Sequence, residues 1–184
     1  MNTALLLIDI QNDYFPGGAM ELSGSTEASL RARELLYHAR REGMPVIHIR
    51  HLATRPGSTF FVPGTEGSEI HEHVRPIPGE TVIEKNYPNS FRQTPLGEIL
   101  EQKGISELVI AGMMTHMCVD ATTRAAFDYG YQCTLVHDAC ATRQLVFAGV
   151  TVSAENVHAA FLAALNGLYA RILSAGEITA PGRA

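Results

Sequence analysis

The sequence is poor in the features that would assign a function at a glance. It holds three cysteines, Cys118, Cys133 and Cys140, with no CxxC pair. An odd count of scattered thiols argues against a disulfide framework. No Lys/Arg-rich run is present, and the formal net charge is -5. An acidic chain without a basic stripe gives no reason to expect nucleic acid or anionic lipid as a partner. Long apolar runs are missing too. The run over residues 4–8 ends in Asp9-Ile10-Gln11, lacks a preceding basic segment, and has no small-residue cleavage site behind it, so it does not read as a secretory signal. The expected setting is the reducing cytoplasm, with no membrane partner. No linker, repeat, low-complexity tract or carrier domain is visible, and the 184 residues are expected to form one domain, 1–184, large enough to bury a real core. With 46% apolar and 18% charged residues the chain has the balance of a globular protein.

What is present is an alternation of strands and helices. Residues 4–8 read as a strand buried on both faces, because a short apolar run without polar alternation has no wet side. Residues 12–18 carry Asp, Pro and two glycines and read as loop. Residues 25–42 have helical spacing, with Ser25 or Thr26 as cap and Gly43 as stop. A second strand covers 46–49. Between 51 and 78 four prolines and three glycines dissolve the pattern into a long loop with room for one helical turn, and loops of that length in compact domains tend to be functional. Then come strand 81–83, helix 94–103 with Pro95 in its first turn, strand 108–111, helix 119–129, strand 132–136, helix 153–165 and strand 169–173. Such an alternation predicts an α/β fold with a parallel sheet covered on both faces.

In open parallel sheets, sites gather outside the carboxyl ends of the strands. Three polar residues stand there: Asp9 after the first strand, Lys85 after the third, and Cys118 in the turn following strand 108–111. A thiol at a helix N-terminus feels the positive end of the dipole, which lowers its pKa. A nearby carboxylate can take its proton and an ammonium can hold the resulting anion. Singly, each residue also has an ordinary reading: a buried small hydrophobe for Cys118, a turn residue for Asp9, a surface lysine for Lys85. Cys133 and Cys140, in a strand and a loop, keep that ordinary reading. The functional case rests on the three occurring together.

The segments around these residues resemble a known family. Leu6-Leu7-Ile8-Asp9-Ile10-Gln11-Asn12-Asp13-Tyr14-Phe15 is similar to the opening signature of the isochorismatase-like cysteine hydrolases. Glu84-Lys85-Asn86-Tyr87-Pro88-Asn89-Ser90-Phe91 resembles their lysine segment, Ala111-Gly112-Met113-Met114-Thr115-His116-Met117-Cys118-Val119 their cysteine elbow, and Asp138-Ala139-Cys140-Ala141-Thr142 a further loop. The resemblance runs from residue 4 to about 173. It implies a three-layer α/β/α Rossmann-like fold with a six-stranded, mostly parallel sheet, and the triad Asp9, Lys85 and Cys118. It also implies a non-proline cis peptide, expected at Met114–Thr115, an oxyanion hole from the backbone N–H groups of Thr115 and Cys118, and a homo-oligomer, dimer or tetramer, for which the apolar helix 157–165 is a candidate.

The activity implied is cleavage of a C–N bond in a small amide or carbamoyl compound through a thioester on Cys118, with no cofactor. The best-known family members that hydrolyse a vinyl ether by acid chemistry lack the elbow cysteine, so Cys118 favours the amide reading, and an isochorismatase-type reaction with Asp9 as acid is the alternative. A non-catalytic ligand-binding or redox-sensing thiol protein is the alternative from another class. The nicotinamidase branch carries an Asp-x-His metal pattern that is absent here, where the stretch reads Ile47-His48-Ile49-Arg50-His51. No metal is therefore expected, although His48 with His51, and His71 with His73, have ligand-like spacings. Candidate substrate walls are Phe15, Phe60, Phe61, Tyr87 and Phe91, with His116 facing either pocket, subunit contact or helix start. Arg55 and Arg75 are candidates to meet a substrate carboxylate or are simply solvated.

Overall fold

The computed structural model of the chain describes residues 2–180. Its elements are β1 (Thr3–Ile8), α1 (Ser25–Arg41), β2 (Val46–His51), β3 (Thr81–Lys85), α2 (Leu96–Gln102), β4 (Glu107–Met113), α3 (Asp120–Asp128), β5 (Gln132–Ala141), the short β6 (Leu145–Phe147) and β7 (Val150–Val152), α4 (Ala154–Leu165), β8 (Arg171–Leu173) and α5 (Ala175–Thr179). Six strands form one sheet in the order β3-β2-β1-β4-β5-β8, and every pairing in it is parallel.

The continuous apolar composition of β1 follows from its central place. Successive side chains of a strand point to opposite faces. Leu5 and Leu7 join the core that packs with Ala28, Ala32, Leu35 and Leu36 of α1 and with Ala175 of α5. Ala4, Leu6 and Ile8 join the opposite core with Leu96 and Leu100 of α2, Ala126 of α3 and Leu165 of α4. Helices thus cover both faces, giving the three α/β/α layers. Among the described residues no helix is long and apolar enough to cross a membrane.

The chain order reverses between β1 and β4, and this is where a doubly wound sheet opens a crevice at its carboxyl edge. The two strands lie close together there. Gly112 has φ 140°, and a Cβ on it would collide with the carbonyl of Ile8. Only glycine fits that approach.

Several boundaries differ from the sequence expectation. The loop 51–78 carries two short helical turns, Glu66–Ser68 and Glu72–Val74, instead of one. Strand β5 runs five residues beyond 136, because a register shift after Ile110 lets Cys140 and Ala141 pair with Gly112 and Met113. The helical segment containing Cys118 starts before residue 119, with a π-type turn over Thr115–Val119 that leads into α3. The cis peptide lies one residue earlier than expected, at Met113–Met114 and not at Met114–Thr115. Strand β4 ends at Met113 and the helical turn begins at Thr115, so the change of direction falls between them and leaves Thr115 inside the helix.

Candidate active site

The three polar strand-end residues converge. Asp9 leaves β1 with a left-handed backbone, φ 51°, a conformation that a short polar side chain tolerates better than most. Its amide donates to the Ile49 carbonyl at 3.0 Å, which turns the carboxylate into the crevice, fully buried. Lys85 ends the edge strand β3 and is nonetheless 1% exposed. Its Nζ lies 2.7 Å from Asp9 Oδ2 and donates to the carbonyls of Tyr87 at 3.1 Å and Pro88 at 3.2 Å. Burial works against the ammonium, but its neighbours Asp9 and Cys118 together outweigh it and the lysine pKa stands above its usual value. A buried lysine lacking such a counter-ion would deprotonate.

Cys118 sits in the helical turn after β4, 5% exposed, and its Sγ, a carboxylate oxygen of Asp9 and a ring nitrogen of His51 all lie within 4.8 Å of one another. The lowered thiol pKa expected from the helix N-terminus is not what this environment produces. Burial and then the Asp9 carboxylate push the thiol up, against the opposing pull of Lys85. The resting site is a neutral thiol beside a carboxylate–ammonium pair. Both Asp9 oxygens are buried, and the Lys85 ammonium at 2.7 Å from Oδ2 is the counter-ion of this carboxylate. Cys133 and Cys140 are buried and unpaired, their thiols pushed up by burial to about 11 and about 12.

The aromatic candidates separate. Phe61 is buried and packs on Tyr14 with ring centroids 4.6 Å apart and on His51 at 5.9 Å. Its amide donates to Asp13 Oδ2 at 2.6 Å, which ties the long loop to the segment after β1. Phe60 packs against it at a tilt, with ring centroids 5.0 Å apart. Phe15 is stacked on His71 at 3.6 Å and packs that loop down. Tyr87 gives its carbonyl to Lys85, while its ring carries the Arg92 guanidinium at 3.7 Å. Phe91 does not join the group. It packs with Tyr129 and Tyr131 in a groove with Ile105, beside the amino ends of β4 and β5, because the chain turns away from the crevice after Ser90, whose hydroxyl is held by Thr122 at 2.8 Å. His116 turns toward β5, where its Nδ1 meets the Thr142 hydroxyl, and packs edge-on to Phe161 of α4. The Thr115 hydroxyl is likewise turned aside, 2.9 Å from His158 Nδ1. Arg55 is exposed on the loop, and Arg75 lines a polar groove with Arg50 and Glu72.

Neither histidine pair makes a metal site. His48 and His51 fall on opposite faces of β2, and His48 Nε2 is bonded to Glu80 at 3.0 Å. His73 Nδ1 meets Ser29 Oγ at 2.8 Å, and His71 Nδ1 accepts from the His73 amide. The donor atoms of Asp9, His51 and Cys118 do approach one another, but the Lys85 ammonium stands at 2.7 Å from the carboxylate and 3.2 Å from the imidazole. A second cation would meet that fixed charge, so the set does not fit a metal.

Three residues near the centre had no role in the sequence reading although they lie in its opening motif: Gln11, Asp13 and Tyr14. Tyr14 is 2% exposed, and its phenol is raised by burial and then by Cys118 and Asp9, which marks its nearness to both. Buried polar residues inside an apolar motif were the available signal.

Comparison with known proteins shows the family. A family model described as Isochorismatase domain matches residues 3–177. The uncharacterized isochorismatase family protein YddQ of Bacillus subtilis (strain 168) is 54% identical over 172 residues, 94% of this chain and 96% of that one. Streptothricin hydrolase of Streptomyces noursei is 38% identical over 139 residues, which cover 76% of this chain and 49% of that protein. Among solved structures, a candidate isochorismatase hydrolase from Oleispira antarctica matches with a TM-score of 0.93 and 49% identity, over 97% of this chain and 96% of that one. The N-carbamoylsarcosine amidase from Thermoplasma acidophilum matches at 0.80 with 27% identity, over 98% of this chain and all of the other. The sheet order, the crevice and the sequence match lead to one assignment: the chain belongs to the isochorismatase family.

Proposed function

We propose that the protein is a cysteine hydrolase that cleaves a C–N bond of a small amide or carbamoyl compound through a thioester on Cys118. The observation that carries this reading is the Asp9 carboxylate, buried, paired with Lys85 at 2.7 Å and facing the Cys118 thiol. A carboxylate so placed is a base waiting for one proton.

In the reaction, Asp9 takes the thiol proton as Sγ attacks the carbonyl carbon. The C–S bond forms and the carbonyl electrons move to oxygen. Support for an oxyanion hole at the backbone N–H groups of Thr115 and Cys118 comes from their place in the first helical turn after β4, where amides point toward the helix N-terminus. Asp9 then gives its proton to the departing nitrogen as the C–N bond breaks. Water, deprotonated by the same carboxylate, adds to the thioester, and the acid leaves as the thiol is restored. Lys85 holds Asp9 and balances the transient thiolate. Tyr14, Phe60, Phe61 and the loop 51–78 form the wall that favours a small acyl group.

The names of streptothricin hydrolase and N-carbamoylsarcosine amidase support hydrolysis of this kind. Against vinyl-ether chemistry speaks the Cys118 thiol beside Asp9, since an acid mechanism at Asp9 has no use for a nucleophile there. We also read the exposed apolar β6–β7 hairpin, with Phe147 at 84% and Val150 at 63% exposure, and the exposed alanines 159, 160, 163 and 164 of α4 as supporting a homo-oligomer, which light scattering measures. The unpaired thiols suit a reducing cytoplasm.

The deciding experiment offers a panel of small amides, carbamoyl compounds and isochorismate to the wild type and to Cys118→Ala, with hydroxylamine as trap. Hydroxamate formation from an amide by the wild type alone supports the thioester. Turnover of isochorismate that survives Cys118→Ala overturns it.

A further inference from the structure

The triad has a neighbour for which that mechanism finds no use. His51 is the last residue of β2, and in the parallel register its Cα partner is Lys85 on β3, so the two side chains stand side by side on one face. The backbone at His51 is held at both its polar groups by one buried side chain. Its amide donates to Gln11 Oε1 at 2.7 Å, and Gln11 Nε2 donates to its carbonyl at 2.9 Å and to the Ser68 carbonyl at 2.8 Å. Gln11 is fully buried, and a primary amide satisfied at every turn by backbone is a rigid brace. The brace fixes the imidazole with Nδ1 at 3.2 Å from Lys85 Nζ and 4.0 Å from Asp9 Oδ2.

An ammonium has only hydrogens to offer. Nδ1 must therefore be the acceptor, and the ring must be neutral with its proton on Nε2. The Lys85 ammonium then shares its three hydrogens among four acceptors: Asp9 Oδ2, the Tyr87 carbonyl, the Pro88 carbonyl and His51 Nδ1. We propose that His51 is a positioning residue of the hydrolytic site, whose neutral Nδ1 fixes the Lys85 ammonium against Asp9 and Cys118 and whose protonation releases it. The inference rests on the triad reading above.

The sign follows from the groups that face the ring. Asp9 faces it from the end of β1, Lys85 from β3 and the neutral Cys118 thiol from the turn after β4, while Phe61 and Gln11 are uncharged. Burial lowers the imidazole pKa, Asp9 works against that, and Lys85 adds to it. The neutral form is therefore the one present near neutrality. As the pH falls through this lowered pKa, a proton on Nδ1 points at the ammonium, the hydrogen bond is lost, and two like charges adjoin. The acid limb of activity then belongs to His51.

The test is acylation of the full-length protein by p-nitrophenyl acetate, followed as p-nitrophenolate release from pH 4.5 to 8.5, in wild type, Cys118→Ala, His51→Asn and His51→Leu. Asparagine puts an acceptor close to the position of Nδ1 and does not titrate. His51→Asn should keep the rate at pH 8 within about threefold and lose the acid limb, whereas His51→Leu should fall about tenfold or more at every pH through misplacement of Lys85. An acid limb unchanged in His51→Asn, or a wild-type rate in His51→Leu, overturns the proposal. If His51→Leu does not fold, the pH profile of His51→Asn alone still decides. Equal rates in wild type and Cys118→Ala would instead refute the triad, which keeps the two failures apart.

Discussion

Replacing Asp9 by asparagine separates two things that the carboxylate does. It keeps the shape of the side chain and removes one buried negative charge beside the Cys118 sulfur. The relevant atoms lie within 4.8 Å of one another. At an effective dielectric near 20, two unit charges at that separation interact by about 3.5 kcal/mol, or roughly 2.5 pKa units. Because Asp9 is among the groups that push the thiol up, its removal lowers the thiol pKa, and the Lys85 ammonium is left with the Cys118 thiolate as its counter-ion. Asp9→Asn should therefore alkylate faster with iodoacetamide at pH 7.5 than the wild type, by about tenfold or more, measured by mass spectrometry on the peptide carrying Cys118. Hydrolysis of any amide substrate should fall by about a hundredfold or more in the same variant, since no base remains to move the proton. A faster thiol in a dead enzyme is the signature of a neutral resting thiol. Slower alkylation in Asp9→Asn would refute the reasoning and mean that Asp9 maintains a standing thiolate.

Two further predictions concern the frame around the site. Gly112→Ala places a methyl against the Ile8 carbonyl at a φ of 140°, which should cost about 1–3 kcal/mol or more in urea denaturation and displace Asp9 one residue beyond. Glu80 is raised by burial, but the Arg40 bond at 2.7 Å, the Ile77 amide and His48 outweigh that and hold it at about 2. A carboxyl depressed in the fold stabilises above its unfolded value and loses that contribution on acidification. The wild type should thus lose stability between the ordinary value of 4.5 and about 2, and Glu80→Gln should be less stable at pH 7 with a flatter decline in that window, read from thermal melts against pH.

Much of the architecture was legible along the chain. Apolar runs at 4–8 and 108–111 marked the two strands at the centre of the sheet, since a strand covered on both faces has no polar alternation, and 46–49 read as their neighbour despite His48. The edge of the sheet was harder to read. Strand β8 covers only Arg171–Leu173, and the β6–β7 hairpin, with Val146, Phe147 and Val150 exposed, carries no core signal of its own. The far half of β5 depends on a register shift against β4, which is a property of two strands together.

The same division holds for the site. Sequence alone named Asp9, Lys85 and Cys118, because each stands where a strand gives out and polar residues there face a crevice. It determined the order of strands and helices, and with it the carboxyl edge at which chemistry gathers. Only the tertiary structure decided that Phe91 packs beside Tyr131 at the other end of the sheet, that the cis peptide falls at Met113–Met114, that the Cys118 thiol is raised and not lowered, and that His51 shares the Lys85 ammonium with Asp9. These turn on burial and on distances of a few ångströms between residues far apart in the chain, and local periodicity encodes neither.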